Sequence, residues 1–295
     1  MVERNVKLDI MKKKVIALIL FLFLLFNWNP GLSQGIQRLP LKSMSWTHRL
    51  IDTCKYVIMY DFVFHEDMEK KNKSYDIKKV EVGRTYTRYH SYIGEQMDSL
   101  GCINSTGYYW MDKIGAKNQP TLEDVYFNYP NKGMMFFTSY LLSYEYCYKE
   151  SFPIINWKSE EKMDTVILGY KCYKATTDFY GRHYTAWFAP DIPLQVGPYK
   201  FCGLPGLIMK VEDSEKYFSW TVFSIIQPKY KPMYFEQGNT IVETDRKGYL
   251  KILNMQWKDI GLFYQSQGKK IYMGGVGYIE PGQVSLPQIP EIEKE

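Results

Sequence analysis

The imidazole groups of this sequence are few and scattered. The four histidines stand at positions 48, 65, 90 and 183, and no pair has the HExxH or HxH spacing that would put two metal ligands on one element. The run HED at 65–67 could offer an imidazole and carboxylates to an ion, but adjacent polar residues of this kind are typical of a solvated loop. We therefore predict no metal site and no cofactor.

Neighbouring carboxylates are the next groups that could do chemistry, as a general acid and a general base. Glu160 with Glu161, and Asp213 with Glu215, are the candidate pairs. Acid–base catalysis needs two carboxyl groups in different environments across a cleft, which sequence neighbours rarely provide. The GxSxG pattern of serine hydrolases occurs only as GLSQG at 31–35, across the predicted signal cleavage site, and the Walker loop of nucleotide-binding enzymes does not occur. These observations favour a non-enzymatic protein.

The alternative, an enzymatic function, depends on His183. It lies in the alternating run GRHYTAWFA, on the same strand face as Thr185 and Trp187. A neutral histidine that is hydrogen-bonded beside an aromatic cluster is the favoured interpretation. The alternative is a periplasmic hydrolase that uses His183 together with scattered carboxylates.

The cysteines allow two interpretations. They stand at positions 54, 102, 147, 172 and 202, and no two are close enough for a zinc ribbon or a redox pair. Disulfides persist in exported proteins, and Cys172 with Cys202 is the candidate pair because the two bracket a hairpin and a Pro/Gly-rich connection. The other interpretation is buried free thiols that pack as small apolar groups.

The histidines, carboxylates and cysteines are expected to lie on β-strands or on the turns between them. The chain is rich in aromatic residues and in runs where apolar and polar residues alternate. Aromatic residues make up 17% of the chain, which suits antiparallel sheets. Alternating runs of strand length occur at residues 55–64, 134–142, 165–177, 181–189, 206–213 and 217–227. We predict an all-β, mostly antiparallel fold: a curved sheet, a half-barrel or a sandwich with few short helices.

The tryptophans indicate which strand faces are apolar. In YFSWTVFSIIQ, Trp220 shares one face with Phe218 and Val222, and this face is predicted to lie inside. Trp187, Trp220 and His183 are our candidates for residues that line a ligand cavity. Ordinary core packing is the alternative for both tryptophans.

Two segments between the runs have loop signals. The charged segment EDMEKKNKSYDIKK, residues 66–79, is predicted to be an exposed loop or a solvated helical turn. Residues 178–181, DFYG, separate two alternating runs and predict a hairpin loop.

The beginning of the chain has the shape of an export signal. Three lysines at 12–14 precede an apolar run at 15–26, which is too short to cross a bilayer as a helix. Small residues at 31 and 33 place the predicted cleavage after Ser33, and Met11 is the predicted start. We expect no transmembrane anchor after cleavage; an uncleaved anchor is the alternative.

The sequence divides into three regions. They are a signal peptide at 1–33, one β domain at 34–280, and a proline-rich tail at 281–295 that is predicted to be extended or disordered. The formal net charge of +5 falls to +2 without residues 1–33. So small a charge argues against binding to nucleic acid.

Part of the sequence resembles the GLPGLI family. The motif is complete at 203–208, where it follows AWFAP and VGP. The stretches YPNKG at 129–133, INWK at 155–158 and ILGYKC at 167–172 are also similar to the family's pattern, so that the resemblance spans about residues 50–230. The family consists of exported Bacteroidetes proteins without an established reaction. The resemblance therefore implies an exported protein and no particular activity.

The motif itself, Gly203, Leu204, Pro205, Gly206, Leu207 and Ile208, contains no catalytic side chain. Proline at the second and glycine at the third turn position predict a type II turn with positive φ at Gly206. The leucines and the isoleucine are expected to enter the core. We interpret the motif as a structural corner after a stiffened crossing between strands; a ligand-binding lip is the alternative.

Together these features predict a non-enzymatic protein of the cell envelope. Its expected partner is an envelope protein or an apolar or peptide-like ligand, because apolar strand faces outnumber convergent polar groups. Alternatives are the hydrolase above and an accessory to an outer-membrane transporter. The expected location is outside the cytoplasm: periplasmic, associated with the outer membrane, or secreted.

Overall fold

The computed structural model describes residues 47–96, 120–141, 144–238, 241–273, 277–284 and 290–294. The predicted export signal and Cys102 lie outside the described residues. Within these ranges the chain is mostly β, with a large antiparallel sheet and few short helices, which confirms the predicted fold class.

The strands, in chain order, are β1 Thr47–Thr53, β2 Tyr56–His65, β3 Lys73–Val82, β4 Thr87–Ser91, β5 Glu123–Phe127, β6 Met134–Leu141, β7 Tyr144–Ser151, β8 Lys158–Ile167, β9 Tyr170–Phe179, β10 Arg182–Ala189, β11 Leu207–Asp213, β12 Phe218–Ile226, β13 Pro232–Gln237, β14 Ile241–Glu243, β15 Ile271–Met273 and β16 Gly277–Ile279. Besides a helical stretch at residues 92–96, the described residues include the helices α1 Arg246–Lys258 and α2 Ile260–Ser266. The side chain of Asp245 caps α1 by accepting from the backbone N–H of Gly248 at 2.7 Å.

Twelve strands form one sheet in the order β14-β7-β6-β5-β4-β3-β2-β12-β11-β10-β9-β8. Two meanders, β2 to β7 and β8 to β12, meet where β2 pairs antiparallel with β12. β14 adds to β7 in parallel at one edge, and β8 forms the other edge. The sheet is therefore open, and its shape depends on its curvature.

The sheet curls strongly. Tyr180, in the turn between β9 and β10, places its hydroxyl 3.4 Å from a carboxylate oxygen of Glu150 on β7. In a flat sheet the eight strand spacings between β7 and β10 would separate these groups by about 38 Å. The contact therefore indicates that the sheet curls into a half-barrel in which β7 and the β9–β10 turn approach each other.

The concave face of this half-barrel carries the main core. On β2, Ile58, Tyr60 and Phe62 alternate into it and are almost completely buried. Trp220 of β12 is also fully buried, and its ring stacks on Phe62 with centroids 4.6 Å apart. The face of β12 that carries Trp220 is inside, as the alternation predicted.

The convex face is covered where β1 and β13 pair as a separate two-stranded sheet. Met233 of β13 is fully buried and packs with Val57 and Met59 of β2. Phe235 stacks on Tyr129, with ring centroids 4.4 Å apart. The half-barrel thus has a second layer over part of its outer surface.

Residues 190–206 connect β10 to β11. The prediction of a crossing between strands was wrong, because β10 and β11 pair directly and the connection is a long hairpin loop. Instead of extending into solvent, the loop folds into the concave core, where Tyr199, Phe201 and Leu204 are buried. This placement brings the residue between the two aromatic rings, Lys200, into the half-barrel.

The GLPGLI motif forms the end of this loop and the start of β11. Gly206 has a φ of +151°, and a Cβ atom there would lie 2.3 Å from the carbonyl oxygen of Ala189. Its N–H donates to the carbonyl of Leu204 at 2.8 Å, which closes a three-residue turn around Pro205. The positive φ is as predicted, but the turn is not the four-residue type II turn.

Two local predictions need correction. Residues 66–79 are not all loop, because β3 begins at Lys73 and runs through them. The run at 165–177 is two strands, since Leu168 and Gly169 have φ values of 50° and 83° and form a two-residue hairpin turn. The predicted hairpin at 178–181 is present, and its turn is Tyr180 with Gly181.

Candidate functional site

Lys200 is the centre of a polar cluster inside the apolar half-barrel. Its side chain is fully buried, and its ammonium group lies 2.8 Å from Glu150, 2.7 Å from Glu293 and 2.8 Å from the hydroxyl of Tyr148. An ammonium group has three N–H donors, so these three acceptors satisfy it completely. The 190–206 loop supplies the cation, and β7 supplies two of its partners.

Aromatic rings surround the same ammonium group. The centroids of Phe137, Tyr148, Tyr180 and Tyr199 lie 5.1–5.6 Å from the Nζ atom. Ring faces attract a cation, and the attraction grows when water is excluded. The site is therefore built to hold positive charge without solvent.

Glu293 lies between Lys200 and a second cation. One of its carboxylate oxygens accepts from the Lys200 ammonium and from the Tyr199 hydroxyl at 2.7 Å, and the other accepts from Arg246 Nε at 2.6 Å. Burial raises the pKa of Tyr199 well above its usual value, so its phenol stays protonated and donates. Glu293 is only 4% exposed although it belongs to the short segment 290–294.

Arg246, the first residue of α1, closes the site from the helix side. Its guanidinium carbon lies 3.8 Å from the centroid of the Tyr180 ring. Burial lowers the pKa of Arg246, but the charge of Glu293 outweighs this and raises it overall. We call Lys200, Arg246 and Tyr199, with the Glu293 carboxylate they hold, the Lys200–Arg246 cluster.

The backbone of segment 290–294 is held as firmly as its carboxylate. Arg182 Nε donates to the carbonyl of Glu291 at 2.5 Å, and the Tyr184 hydroxyl donates to the carbonyl of Ile292 at 2.8 Å. The N–H of Lys294 donates to the carbonyl of Tyr180 at 2.8 Å. These bonds involve peptide groups, which every sequence possesses. Ile292 adds an apolar contact with the core.

Arg182 is itself fixed by the strand next to it. Its guanidinium lies 3.1 Å from Asp213 and 2.7 Å from Glu215, and its side chain is almost fully buried. These carboxylates form one of the pairs considered as an acid and a base. In the structure they orient the arginine that binds the segment.

A second buried lysine lies deeper in the half-barrel. The ammonium of Lys78 lies 3.1 Å from Asp76, 2.9 Å from Glu123 and 3.1 Å from the carbonyl of Thr121. All three of its donors have partners within the domain, and no group of segment 290–294 is among these three. We assign Lys78 to the support of the core.

The predicted ligand-lining residues do not come together. Trp220 is in the concave core, while Trp187 lies on the opposite face of the sheet, where its Nε1 donates to Asp164 at 2.5 Å. His183 is about half exposed on that outer face, and its Nδ1 lies 2.8 Å from Asp178. The roles predicted for these three residues in ligand binding stay predictions.

The cysteines of the described residues are free thiols, so Cys172 and Cys202 are not joined in this structure. Cys172 is fully buried, and burial raises its pKa. Burial also raises the pKa of Cys202 to about 11. Such thiols carry almost no thiolate at neutral pH, which makes them poor nucleophiles.

Sequence reasoning missed Lys200, Arg246 and Glu293. Lys200 did have a signal, because it is the one charged residue in the otherwise apolar and aromatic stretch VGPYKFCGLPGLIM. A charge within such a run, beside a motif that enters the core, indicates a buried cation with a partner. Nothing in the sequence identifies that partner, because Glu293 is 93 residues away.

None of the helices in the described part of the chain has the length and apolar content needed to cross a membrane. Among the same residues, no group of three or more histidine, cysteine, aspartate or glutamate side chains is arranged to hold a metal ion.

Comparison with solved structures gives two matches to PNGF-II, in space groups P21 and C2, each with a TM-score of 0.43 and 17% identity over 68% of this chain. The chain spans about a third of the length of those structures, 33% and 32%. No curated protein matches the sequence. A family model described as a protein of unknown function (Porph_ging) matches residues 180–210. The chain is thus similar to a family without a known function over the segment that carries Arg182, Tyr184 and Lys200.

Proposed function

We propose that this protein is a non-enzymatic binding protein of the cell envelope that holds an acidic peptide in its half-barrel. The observation that carries the proposal is segment 290–294, which lies in the half-barrel as such a peptide would. The Lys200–Arg246 cluster binds its glutamate, and hydrogen bonds from β10 and its preceding turn bind its backbone. In this structure the protein's own segment takes the place of the ligand.

The contacts divide into general ones to the peptide backbone and specific ones to a side chain. Arg182, Tyr184 and the carbonyl of Tyr180 bind peptide groups and do not distinguish sequences. Lys200 and Arg246 bind a carboxylate and therefore select an acidic side chain. The ligand predicted by this arrangement has an aliphatic residue followed by glutamate.

A purely structural role does not account well for the charges. Burying an ion pair costs desolvation free energy, and well-packed apolar residues usually stabilise a core equally well or better. Here two cations and two carboxylates lie at the rim of an otherwise aromatic core. We infer that these charges provide selectivity for an acidic side chain.

Export is part of the proposal. It is supported by the shape of residues 1–33 and by the resemblance of the GLPGLI region to a family of exported proteins. The apolar and aromatic concave face and the small net charge fit a protein that binds peptide and not nucleic acid.

The test is binding of a peptide in trans to the full chain. In the Glu293→Gln variant the protein's own segment loses its charged contact, so the site becomes easier to occupy. A fluorescein-labelled PEIEK peptide, the sequence of residues 290–294, should bind this variant more tightly than wild type in a fluorescence anisotropy titration. The wild-type segment competes at an effective concentration in the millimolar range.

The matched control peptide is PEIQK, which lacks the glutamate carboxylate. It should bind the variant at least about tenfold more weakly, since a buried charge-assisted contact contributes more than about 1.4 kcal/mol. Equal binding of PEIEK and PEIQK, or no binding of either, contradicts the proposal.

The hydrolase alternative has one observation in its favour. His183 and Asp178 form a histidine–carboxylate pair beside a small cleft. Of the threonines that line that cleft, Thr177 already donates its hydroxyl to the carbonyl of Asn156. Turnover of an envelope substrate that is lost in His183→Ala, with the fold intact, would favour the hydrolase over the binding protein.

A further inference from the structure

Segment 290–294 places a lysine directly after the glutamate that the Lys200–Arg246 cluster binds. The ammonium group of Lys294 lies 3.4 Å from a carboxylate oxygen of Glu215. Both side chains are about half exposed, so this contact lies at the surface of the protein and not in its core. The segment therefore has a second charged side chain in contact with the rest of the protein.

The direction of the Lys294 side chain is fixed by the turn between β9 and β10. The backbone N–H of Lys294 donates to the carbonyl of Tyr180 at 2.8 Å. At the next residue, Gly181, a Cβ atom would lie 2.8 Å from the Cβ atom of Lys294, which is closer than real Cβ atoms approach their neighbours. Glycine at 181 thus lets the residue after the glutamate lie directly against the turn. A peptide that binds in the same way directs its side chain at this position toward Glu215.

Glu215 belongs to a group in which two carboxylates face one guanidinium. Arg182 lies 3.1 Å from Asp213 and 2.7 Å from Glu215. Asp213 is buried and also accepts from the backbone N–H of Phe218, whereas the Glu215 carboxylate is half exposed and accessible to a second cation. The neighbouring Lys70 donates to the backbone carbonyl of Glu215. A positive side chain on the peptide is therefore attracted to the Glu215 carboxylate.

The electrostatics of Glu215 agree with this geometry. Desolvation raises the pKa of its carboxyl group, but Lys294 and Arg182 outweigh this effect and lower the pKa below its usual value. The carboxylate is thus ionised at neutral pH. An acidic residue after the glutamate would be repelled by Glu215, and a neutral residue would lose the attraction.

We propose that the half-barrel recognises a basic residue directly after the glutamate, so that its ligands are peptides with the pattern aliphatic, glutamate, basic. This inference rests on the proposed function and deepens it. Ile292 occupies the aliphatic position through its contact with the core, Glu293 the acidic position and Lys294 the basic one. Salt screens an exposed ion pair much more than a buried one, so experiments can separate the two charged positions.

The test compares the labelled peptides PEIEK, PEIER and PEIEE on the full-length Glu293→Gln chain by fluorescence anisotropy. PEIEK and PEIER should bind equally within about twofold, and PEIEE about tenfold more weakly at low salt, because glutamate replaces an attraction by a repulsion. At about 1 M salt the difference between PEIEK and PEIEE should fall below about threefold. The preference for PEIEK over PEIQK should persist there, since the contacts of that glutamate are buried. Equal binding of PEIEK and PEIEE at low salt overturns the inference.

Glu215→Gln, added to the Glu293→Gln chain, assigns the preference to one carboxylate. It should reduce the preference for PEIEK over PEIEE from about tenfold to less than about threefold. The ratio is the readout, because the loss of the Glu215 charge also loosens Arg182 and weakens all peptides alike. The matched control is Glu212→Gln, a nearby carboxylate of β11 that pairs with Lys210 at 2.9 Å and should leave the ratio at about tenfold. An unchanged ratio in Glu215→Gln overturns the inference.

The outcomes separate this inference from the proposed function. If PEIEK binds more tightly than PEIQK but no more tightly than PEIEE, the proposed function stands and the recognition of a basic residue is wrong. If PEIEK and PEIQK bind equally, or neither binds, the proposed function fails and the inference fails with it.

Discussion

Replacing Glu293 with glutamine should destabilise the protein strongly. The carboxylate accepts from Lys200 at 2.7 Å, Arg246 at 2.6 Å and Tyr199 at 2.7 Å, and the residue is 4% exposed. Removing one partner of a buried ion pair costs about 3–5 kcal/mol. Lys200 keeps Glu150 at 2.8 Å, so we expect the lower end, about 3 kcal/mol of unfolding free energy.

Urea denaturation measures this loss, and thermal unfolding should show a decrease in Tm of about 6 to 12 °C for a chain of this size. The matched control is Glu161→Gln, an exposed glutamate of β8, which should change the free energy of unfolding by less than about 0.5 kcal/mol. If Glu293→Gln changes stability as little as this control does, the contacts of Glu293 do not hold segment 290–294 as described.

Three other predictions concern the motif, the buried carboxyl group of Glu145 and the thiols. Gly206→Val should lower the free energy of unfolding by more than about 2 kcal/mol. Gly203→Ala should cost only about 1 kcal/mol, because Gly203 has positive φ but no atom lies within 4 Å of the added Cβ. Equal losses would contradict the close approach of Gly206 to the carbonyl of Ala189. Burial raises the pKa of Glu145, against the opposing hydrogen bonds it accepts, so its folded pKa exceeds its unfolded pKa and it destabilises the fold as pH rises above 4.5, the ordinary pKa of a glutamate. Glu145→Gln should therefore raise Tm at pH 7 and lose this advantage toward pH 4, and a constant difference would contradict the assignment. Mass spectrometry of the unfolded, non-reduced and alkylated protein should find Cys172 and Cys202 both alkylated, and a linked peptide pair would contradict the free thiols.

Apolar and alternating runs predicted several of the strands. The runs at β2, β6, β10 and β12 match the position of each strand to within a residue or two. β7 was not predicted, although its tyrosines recur at every second position. The prediction also failed at β3, because Asp76 and Lys78 point into the half-barrel, where Lys78 pairs with both Asp76 and Glu123. Buried charges look like a solvated loop in sequence, because the partner that neutralises them comes from a distant strand.

The curvature and the site depend on distant contacts of the same kind. The two-residue strand period describes one strand and its faces, but it does not specify that Glu150 on β7 meets Tyr180 across the half-barrel. The roles of Lys200 and Arg246 likewise follow only from the position of Glu293, whose carboxylate contacts both cations. The GLPGLI motif could be assigned to a corner with positive φ from its residues alone, since proline and glycine restrict the backbone locally.

Photo-crosslinking of the peptide tests the central claim most directly. A PEIEK peptide with a photoreactive residue in place of its isoleucine is bound to the full-length Glu293→Gln chain, irradiated, digested and mapped by mass spectrometry. Ile292 lies next to Tyr184, whose hydroxyl donates to its carbonyl. The account predicts crosslinks within residues 180–201, reduced by excess unlabelled PEIEK and not by PEIQK. Crosslinks confined to other parts of the chain, or equal competition by the two peptides, would contradict it.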